Sequence, residues 1–210
     1  MTMPRGWLIT LEGGEGAGKS TQLKVIGDWL AARGRQVVVT REPGGTLFGE
    51  RIREILLHKH DRIDPDTEVL LMFAARSEHI AKVIRPALAS GKTVLCDRFT
   101  DATYAYQGAG RGVAADRIAK IESWVQKELR PNLTILLDLP IELGHERVRN
   151  RGGTRDRFER EELAFFERVR AAYLAGAARE PNRVHVVDAS REVAEVTRTI
   201  TEILERVVHD

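Results

Sequence analysis

A glycine-rich run from Gly13 to Ser20, reading Gly-Gly-Glu-Gly-Ala-Gly-Lys-Ser, constrains the fold more than any other segment. It satisfies the pattern G-x-x-x-x-G-K-[ST], follows an apolar run directly and opens a helical pattern. In that setting consecutive backbone N–H groups point into one concavity at a helix N-terminus, which favours the phosphates of a nucleoside triphosphate. The sequence therefore predicts a strand, a phosphate-binding loop and a helix, in that order.

The side chains of this loop have separate expected roles. Lys19 is expected to reach the outer phosphates, and Ser20 is expected to bind Mg²⁺. The residues expected around the triphosphate are Gly13, Gly14, Glu15, Gly16, Ala17, Gly18, Lys19, Ser20 and Thr21. Because such loops serve switches, motors, pumps and kinases alike, the motif fixes the ligand class better than the reaction. The chain lacks an Asn-Lys-x-Asp guanine-reading tetrapeptide and, at 210 residues, has no room for a motor's further domains, which favours a small kinase.

Five short apolar runs alternate with helical patterns along the chain. The predicted strands are Trp7–Leu11, Gln36–Thr40, Thr93–Asp97, Leu133–Leu139 and Arg183–Val187. The predicted helices are Gly18–Arg33, Pro65–Ser90, Ala115–Leu129, Ile141–Arg151, Arg160–Ala178 and Val193–Val208. This alternation predicts a three-layer αβα domain over residues 1–210, with a five-stranded parallel sheet covered on both faces. Gly34 and Gly91 are placed to end helices, and Asp64-Pro65 to begin one.

Composition excludes several other classes. Hydrophobic residues make up 42% of the chain and charged residues 30%, which is typical of a globular domain and not of a disordered one. The balance of 33 Lys and Arg against 31 Asp and Glu, a net charge of +2, is too weak to indicate a nucleic acid partner. Without a membrane-length apolar run or a signal peptide, we expect a cytoplasmic protein with no membrane partner. Cys96, the single cysteine, is expected to be a buried small hydrophobe.

Arginines are concentrated near position 150. They are Arg147, Arg149, Arg151, Arg155 and Arg157. In a helix Arg147 and Arg151 share a face, while Gly152-Gly153 can end that helix and act as a hinge. A mobile cationic lid, at about residues 147–158, would stabilise charge on a transferring phosphoryl group and exclude water. A solvated basic patch is the alternative interpretation.

Four segments in order resemble the bacterial thymidylate kinases. They are Glu-Gly-Gly-Glu-Gly-Ala-Gly-Lys-Ser-Thr (12–21), Thr-Arg-Glu-Pro-Gly-Gly-Thr (40–46), Asp-Arg-Phe (97–99) and Ala-Tyr-Gln-Gly-Ala-Gly-Arg-Gly (105–112). The resemblance runs over essentially the whole chain. It implies a nucleoside monophosphate kinase fold, a homodimer, and phosphoryl transfer from Mg·ATP to dTMP that gives dTDP and ADP for dTTP biosynthesis. Two alternatives stay open: a kinase for another monophosphate or a deoxynucleoside, and a nucleotide-dependent switch without a second substrate.

The resemblance assigns the reacting end of the site. Asp97 and Arg98 end the third strand, at the edge where an open parallel sheet binds its ligands. Asp97 is placed like a carboxylate that holds Mg²⁺ through water, and Arg98 offers a planar fork for the dTMP phosphate. The expected catalytic residues are Lys19, Arg98, Arg151 and Glu15, and the expected lid residues are Arg147, Arg149, Arg151 and Arg157. The residues expected to hold the metal are Ser20 and Asp97.

The resemblance also assigns the nucleoside end. Glu15 matches the residue that meets the 3′-hydroxyl of the sugar, and Tyr106 would close the space beside C2′. Arg76 is expected at a thymine carbonyl and Thr103 at thymine N3. Either Met72 or Phe73, which lie four and three residues before Arg76, is expected to stack on the base. The expected dTMP residues are Glu15, Glu42, Pro43, Arg53, Met72, Phe73, Arg76, Arg98, Thr103, Tyr106 and Gln107.

Overall fold

A five-stranded parallel sheet lies at the centre of the chain in the computed structural model, which describes residues 6–58, 63–151 and 157–208. The strands are β1 (Leu8–Gly13), β2 (Val37–Arg41), β3 (Thr93–Asp97), β4 (Leu133–Asp138) and β5 (Val184–Asp188). Their order is β2-β3-β1-β4-β5, and every neighbouring pair is parallel. Leu11 is opposite Asp97 and Gly13 is opposite Leu137, so the carboxyl ends of β1, β3 and β4 share one edge.

Helices connect the strands. They are α1 (Lys19–Ala32), α2 (Leu47–Leu57), α3 (Pro65–His79), α4 (Arg85–Ala89), α5 (Thr100–Thr103), α6 (Ala115–Gln126), α7 (Ile141–Arg151), α8 (Leu163–Arg179) and α9 (Val193–Val207). A π-helical turn, Ile80–Ile84, joins α3 to α4, so that the predicted second helix is continuous. A second π-helical segment, Tyr104–Gly110, continues α5. Among the described helices, none combines the length with the apolar character that a membrane span requires.

Alternation of side chains along the strands buries both faces of the sheet. Ile9 and Leu11 of β1 belong to the cluster that packs under α1 and α9. Leu8, on the same strand, belongs to the cluster formed with Ile80 and Ile84 of the long helix on the other face. The predicted three-layer αβα arrangement is therefore confirmed. Cys96 of β3 is buried, as predicted, and its Sγ donates to the Arg98 carbonyl at 3.0 Å.

The predicted helix boundaries rest on local chemistry. Gly34 and Gly91 each adopt φ +75°, the left-handed conformation that ends a helix. The Asp64 side chain accepts a hydrogen bond from Asp66 N at 2.9 Å and caps α3. Helix α2 was not predicted. Its N-cap is Thr46, whose hydroxyl accepts from Gly49 N at 2.9 Å, and a Thr cap followed by buried Ile52 and Leu56 is the signal that indicates it.

Candidate active site

A cavity of about 460 Å³ opens at the carboxyl edge of the sheet. The phosphate loop forms one end, and α3, α5 and the segment Tyr104–Gly110 form the other. The sequence-predicted residues that line it are Glu15, Gly16, Ala17, Gly18, Lys19, Ser20, Thr21, Glu42, Pro43, Arg53, Met72, Arg76, Asp97, Arg98, Thr103, Tyr106, Gln107 and Arg147. The fold thus brings most of the two predicted nucleotide sites into one continuous space.

The carbonyl oxygens of the phosphate loop bind the amine of the loop's own lysine, Lys19. Gly18, at the N-cap of α1, has φ +87°, a conformation that favours glycine. Lys19 Nζ donates to the carbonyl oxygens of Gly13 and Gly14 at 3.1 and 2.9 Å. Burial, together with the positive charge of Arg98, lowers the pKa of Lys19. A charged amine is therefore held at the loop by two carbonyl contacts that an incoming phosphate can replace.

The main chain of the loop also lies against the main chain of α7, and Arg147 NH1 of that helix donates to the Gly16 carbonyl at 3.5 Å. A Cβ on Gly16 would lie 2.4 Å from the carbonyl oxygen of Gly144, and a Cβ on Gly144 would lie 2.6 Å from the carbonyl oxygen of Glu15. Both distances are too short for any side chain. The two glycines therefore let the first half of α7 rest directly on the phosphate loop.

Glu15, Arg98 and Tyr106 form a cluster between the two ends of the cavity. Arg98 NH2 donates to Glu15 Oε1 at 2.5 Å and to Tyr106 Oη at 2.9 Å. Burial opposes ionisation of Glu15, but the charges of Arg98 and Lys19 outweigh it and lower the pKa of Glu15 to about 2. Burial raises the pKa of Tyr106, so its hydroxyl stays protonated. Arg98, predicted at the acceptor phosphate, is thus held beside the phosphate loop by a carboxylate.

Asp97 offers an unused buried acceptor. It lines the cavity together with Ser20, and its Oδ1 is buried with no hydrogen-bond partner in the described part of the chain. A buried, unpaired carboxylate oxygen facing a phosphate loop fits a divalent cation held directly or through water. Within residues 6–58, 63–151 and 157–208 no three His, Cys, Asp or Glu gather to hold a metal by themselves. Such a cation would therefore need phosphate oxygens as further ligands.

Arg76 is the buried cation at the other end of the cavity, where the nucleoside is expected. Its Nε donates to Glu42 Oε2 at 2.7 Å and its NH2 donates to Thr103 Oγ1 at 3.0 Å. Its NH1 is buried and has no partner among the described residues. Arg76 also lines the cavity, so this unpartnered donor belongs to a side chain that borders the site.

Met72 and Phe73 lie on different sides of α3, because successive helix residues are turned by about 100°. Met72 lines the cavity. Phe73 is only 2% exposed, packs in a cluster with Val69, and is not part of the cavity lining. The Arg76 guanidinium lies 4.8 Å from the centre of the Phe73 ring. The structure therefore places Met72 at the cavity, where the base is expected, and Phe73 behind Arg76, in the core.

The arginines near position 150 have different surroundings. Arg147 NH1 donates to the carbonyl of Ala189 at 3.0 Å, and Arg149 is exposed on α7. Arg157 is buried, away from the cavity lining, where it donates to Glu68 Oε2 at 2.5 Å and to the carbonyl of Leu56 at 2.9 Å. The predicted lid residues Gly152, Gly153 and Arg155 and the side chain of Arg151 lie outside the described residues.

Sequence reasoning did not single out several buried polar residues around the site. Glu68 is fully buried and accepts from Gln107 Nε2 at 2.7 Å as well as from Arg157. Glu12 accepts from Phe99 N and from Tyr173 Oη, both at 2.7 Å, and burial raises its pKa to about 8. Their partners come from distant parts of the chain, so no local pattern indicates them.

The fold and the cavity together define a P-loop phosphotransferase of the nucleoside monophosphate kinase type, with a phosphate loop and a second polar pocket in one space. The sequence profile of the family "Thymidylate kinase" matches residues 11–200. The chain belongs to the thymidylate kinase family. The fold class, the family and the thymidylate kinase function predicted from the sequence are confirmed.

Individual relatives agree with this assignment. The chain is 57% identical over 200 residues to the thymidylate kinase of Pseudomonas entomophila, covering 95% of each protein. It is 56% identical over 200 residues to that of Chromohalobacter salexigens, covering 94% of each. The crystal structure of thymidylate kinase from Ehrlichia chaffeensis superposes with a TM-score of 0.77 at 32% identity, over 96% of this chain and 99% of that one.

Proposed function

We propose that this thymidylate kinase transfers the γ-phosphoryl group of ATP to the phosphate of dTMP, giving dTDP and ADP, within the single domain of residues 1–210. One observation carries the proposal. Arg98 contacts Glu15 and the Gly13 carbonyl on the phosphate loop and Tyr106 on the pocket side, so it stands where the two phosphates would meet. Phosphoryl transfer needs positioning and charge neutralisation more than covalent help from the protein.

The loop residues Gly13 to Thr21 are assigned to the donor. Backbone N–H groups bind the phosphates of ATP, and Lys19 leaves the carbonyls of Gly13 and Gly14 to neutralise the outer ones. Ser20 and Asp97 would hold Mg²⁺, which neutralises phosphate charge when bound. The unpartnered Asp97 Oδ1 supports this assignment.

The opposite end is assigned to dTMP. Arg76 directs its free NH1 to a thymine carbonyl, Thr103 faces N3, and Met72 packs against the base. Tyr106 lies beside C2′ of the sugar and Glu15 accepts the 3′-hydroxyl. The residues that surround the rest of the nucleotide are Glu42, Pro43, Arg53 and Gln107. Arg98 exchanges Glu15 for the acceptor phosphate and holds its oxygen in line with the γ-phosphorus of ATP, to which that oxygen bonds as the bond to the leaving ADP breaks. There the guanidinium also neutralises charge on the transferring group.

Residues of about 147–158 are proposed to cover the transferring group. Arg147, Arg149 and Arg151 supply positive charge from α7, where Arg147 already borders the cavity. Arg157 is assigned differently from its neighbours. Its buried ion pair with Glu68 supports a role as the anchor at the end of this segment.

We further propose a homodimer that works in the cytoplasm, without nucleic acid or membrane partners. Large apolar side chains are exposed on three helices that pack side by side, namely Phe48 and Ile55 on α2, Leu70 on α3 and Trp124 on α6. A shared interface would remove this surface from water. Light scattering on the wild type and on Leu70→Glu tests this, with a dimer mass expected for the wild type only.

A product assay tests the reaction. Purified protein with Mg²⁺ and ATP is offered dTMP, dUMP, UMP, dCMP, AMP and GMP separately, and both ADP and the diphosphate are followed. Strong preference for dTMP with equal ADP and dTDP is expected. Arg98→Ala should lower kcat by about 10²-fold or more. ADP release without any diphosphate would show that the acceptor assignment is wrong.

A further inference from the structure

His79 is a fully buried polar residue outside the cavity lining. It lies at the end of α3, three residues after Arg76 and therefore on the same side of the helix. Its Nδ1 contacts Glu42 Oε1 at 2.9 Å, and its Nε2 contacts Thr40 Oγ1 at 2.7 Å. Because a carboxylate only accepts, Nδ1 is the donor to Glu42.

Glu42 is held from both sides. One carboxylate oxygen faces His79 and the other accepts from Arg76 Nε at 2.7 Å. Arg76 NH2 is bound to Thr103, which leaves NH1 as the buried group without a partner in the described chain. The centres of the Phe73 and Phe99 rings lie 4.8 and 5.0 Å from the guanidinium, which holds its plane. Within that plane the hydrogen bonds to Glu42 and Thr103 set the direction of NH1. Removal of His79 would free one Glu42 oxygen and let the guanidinium turn within the plane.

The backbone around Glu42 is fitted to the imidazole. Gly45, at φ +78°, passes so close to the ring that a Cβ there would lie 2.5 Å from His79 Nε2 and 2.7 Å from Thr40 Oγ1. The turn that carries Glu42 is therefore seated on His79 as well as hydrogen-bonded to it. A side chain of different shape at position 79 would move the turn.

We propose that His79 is a positioning residue which, through Glu42, aims Arg76 NH1 at the base and so sets both the affinity for the acceptor nucleotide and the choice of base. The inference rests on the proposed function, because it takes thymine as the base at this position. A guanidinium only donates hydrogen bonds. It therefore binds a base with a ring carbonyl at this position and disfavours a base with an amino group there. His79 therefore favours dTMP over dCMP without touching either.

The experiment compares His79→Leu, His79→Asn and Thr40→Val in steady-state assays with dTMP and dCMP. For His79→Leu we expect KM for dTMP to rise about tenfold or more with kcat within about threefold and KM for ATP unchanged. The ratio of kcat/KM for dTMP over dCMP should fall about tenfold. Asn, whose amide nitrogen can replace Nδ1 as donor to Glu42, should restore most of the affinity, and Thr40→Val should have a smaller effect.

Thr10→Val is the matched control for Thr40→Val. It also removes one buried threonine hydroxyl, which contacts Thr134 at 2.7 Å on the sheet, and should leave the selectivity unchanged. Folding of each variant is followed by thermal unfolding. Unchanged KM for dTMP and unchanged selectivity in folded His79→Leu overturn the inference. A lower kcat with higher KM values for both dTMP and ATP, which His79→Asn does not restore, also overturns it.

Arg76→Ala separates this inference from the proposed function. A wild type that forms dTDP, with an Arg76→Ala variant whose KM for dTMP is unchanged, overturns the inference and leaves the reaction in place. A wild type that forms no dTDP overturns the proposed function, and with it the substrate on which the inference depends.

Discussion

The two ends of the cavity are built in different ways. The phosphate end is lined by one continuous segment, Glu15 to Thr21, whose backbone N–H groups at the start of α1 are proposed to bind phosphate. The nucleoside end is made of side chains such as Glu42, Arg76 and Thr103, which come from three separate segments. A local motif can specify the first end alone, whereas the second exists only after the whole fold has formed.

The cations of the two ends are held differently as well. Lys19 is bound to carbonyl oxygens and Arg98 to Glu15, and phosphates can replace both sets of partners. Arg76 is tied to Glu42 by a buried ion pair and offers only its NH1. Substitutions at the phosphate end should therefore act on turnover, and those at the nucleoside end on affinity and stability.

The largest effect is expected for Lys19→Ala. Loss of the amine removes charge neutralisation at the transferring phosphate, so kcat should fall by about 10³-fold or more. Steady-state kinetics checks this, with circular dichroism to verify folding. Lys24→Ala on the exposed side of α1, where Lys24 pairs with Asp28 at 2.9 Å, is the control and should behave like the wild type. A normal kcat in Lys19→Ala would contradict the expectation that substitutions at the phosphate end act on turnover.

The second prediction contrasts two neighbours on α3. Phe73→Ala should lower the free energy of unfolding by about 3–5 kcal/mol, because it leaves a cavity in the core behind Arg76. Met72→Ala should raise KM for dTMP with a smaller loss of stability, since Met72 borders the cavity. Urea unfolding and kinetics measure the two effects. The reverse pattern, with Phe73 controlling KM at little loss of stability, would contradict the placement of Met72 at the cavity and Phe73 in the core.

The third prediction concerns Glu12, the buried carboxylate that accepts from Phe99 N and Tyr173 Oη. Burial raises its pKa from 4.5 to about 8, so between these values the folded protein binds more protons than the unfolded chain. Stability should therefore fall as pH rises through this window, by up to about 1.4 kcal/mol for each pH unit. Glu12→Gln should flatten the dependence of unfolding free energy on pH from 5 to 8. An equal slope in the variant would assign the titration to other groups.

The smallest effect is expected at the contact between the phosphate loop and α7. Gly144→Ala pushes a methyl group against the Glu15 carbonyl and should lower kcat/KM for ATP about tenfold by displacing the loop. Gly176→Ala is the matched control, because its Cβ would meet only the end of the Arg179 side chain, at 3.9 Å. It should raise helix stability by about 0.5–1 kcal/mol and leave kinetics unchanged. Equal kinetics in both variants would show that the contact between the loop and α7 accommodates a methyl group without displacing the loop.

Local sequence patterns predicted the strands and most of the helices well. The predicted strand Thr93–Asp97 has the observed bounds, and the other strands shift by one or two residues at their ends. Apolar runs, helix-ending glycines and the loop motif are all properties of adjacent residues, so the sequence displays them directly. The phosphate end of the site was predictable for the same reason.

The nucleoside end was less predictable because it depends on helix rotation and on distant partners. Met72 and Phe73 are adjacent in sequence, and only the packing of α3 decides which of them meets the cavity. Arg157 stands in a run of arginines, yet its carboxylate partner, Glu68, is 89 positions away in the chain. Charge patterning along the sequence does not reveal such a pair.

The contact of Gly16 with Gly144 also limits how this enzyme can change over time. Both positions already carry the smallest residue, so a side chain gained at one cannot be accommodated by a reduction at the other. Compensation would have to come from a shift of the α7 backbone, which also carries Arg147. The effect of a substitution at either position is therefore expected to depend on where the whole of α7 lies. A second change at the partner glycine cannot rescue the first.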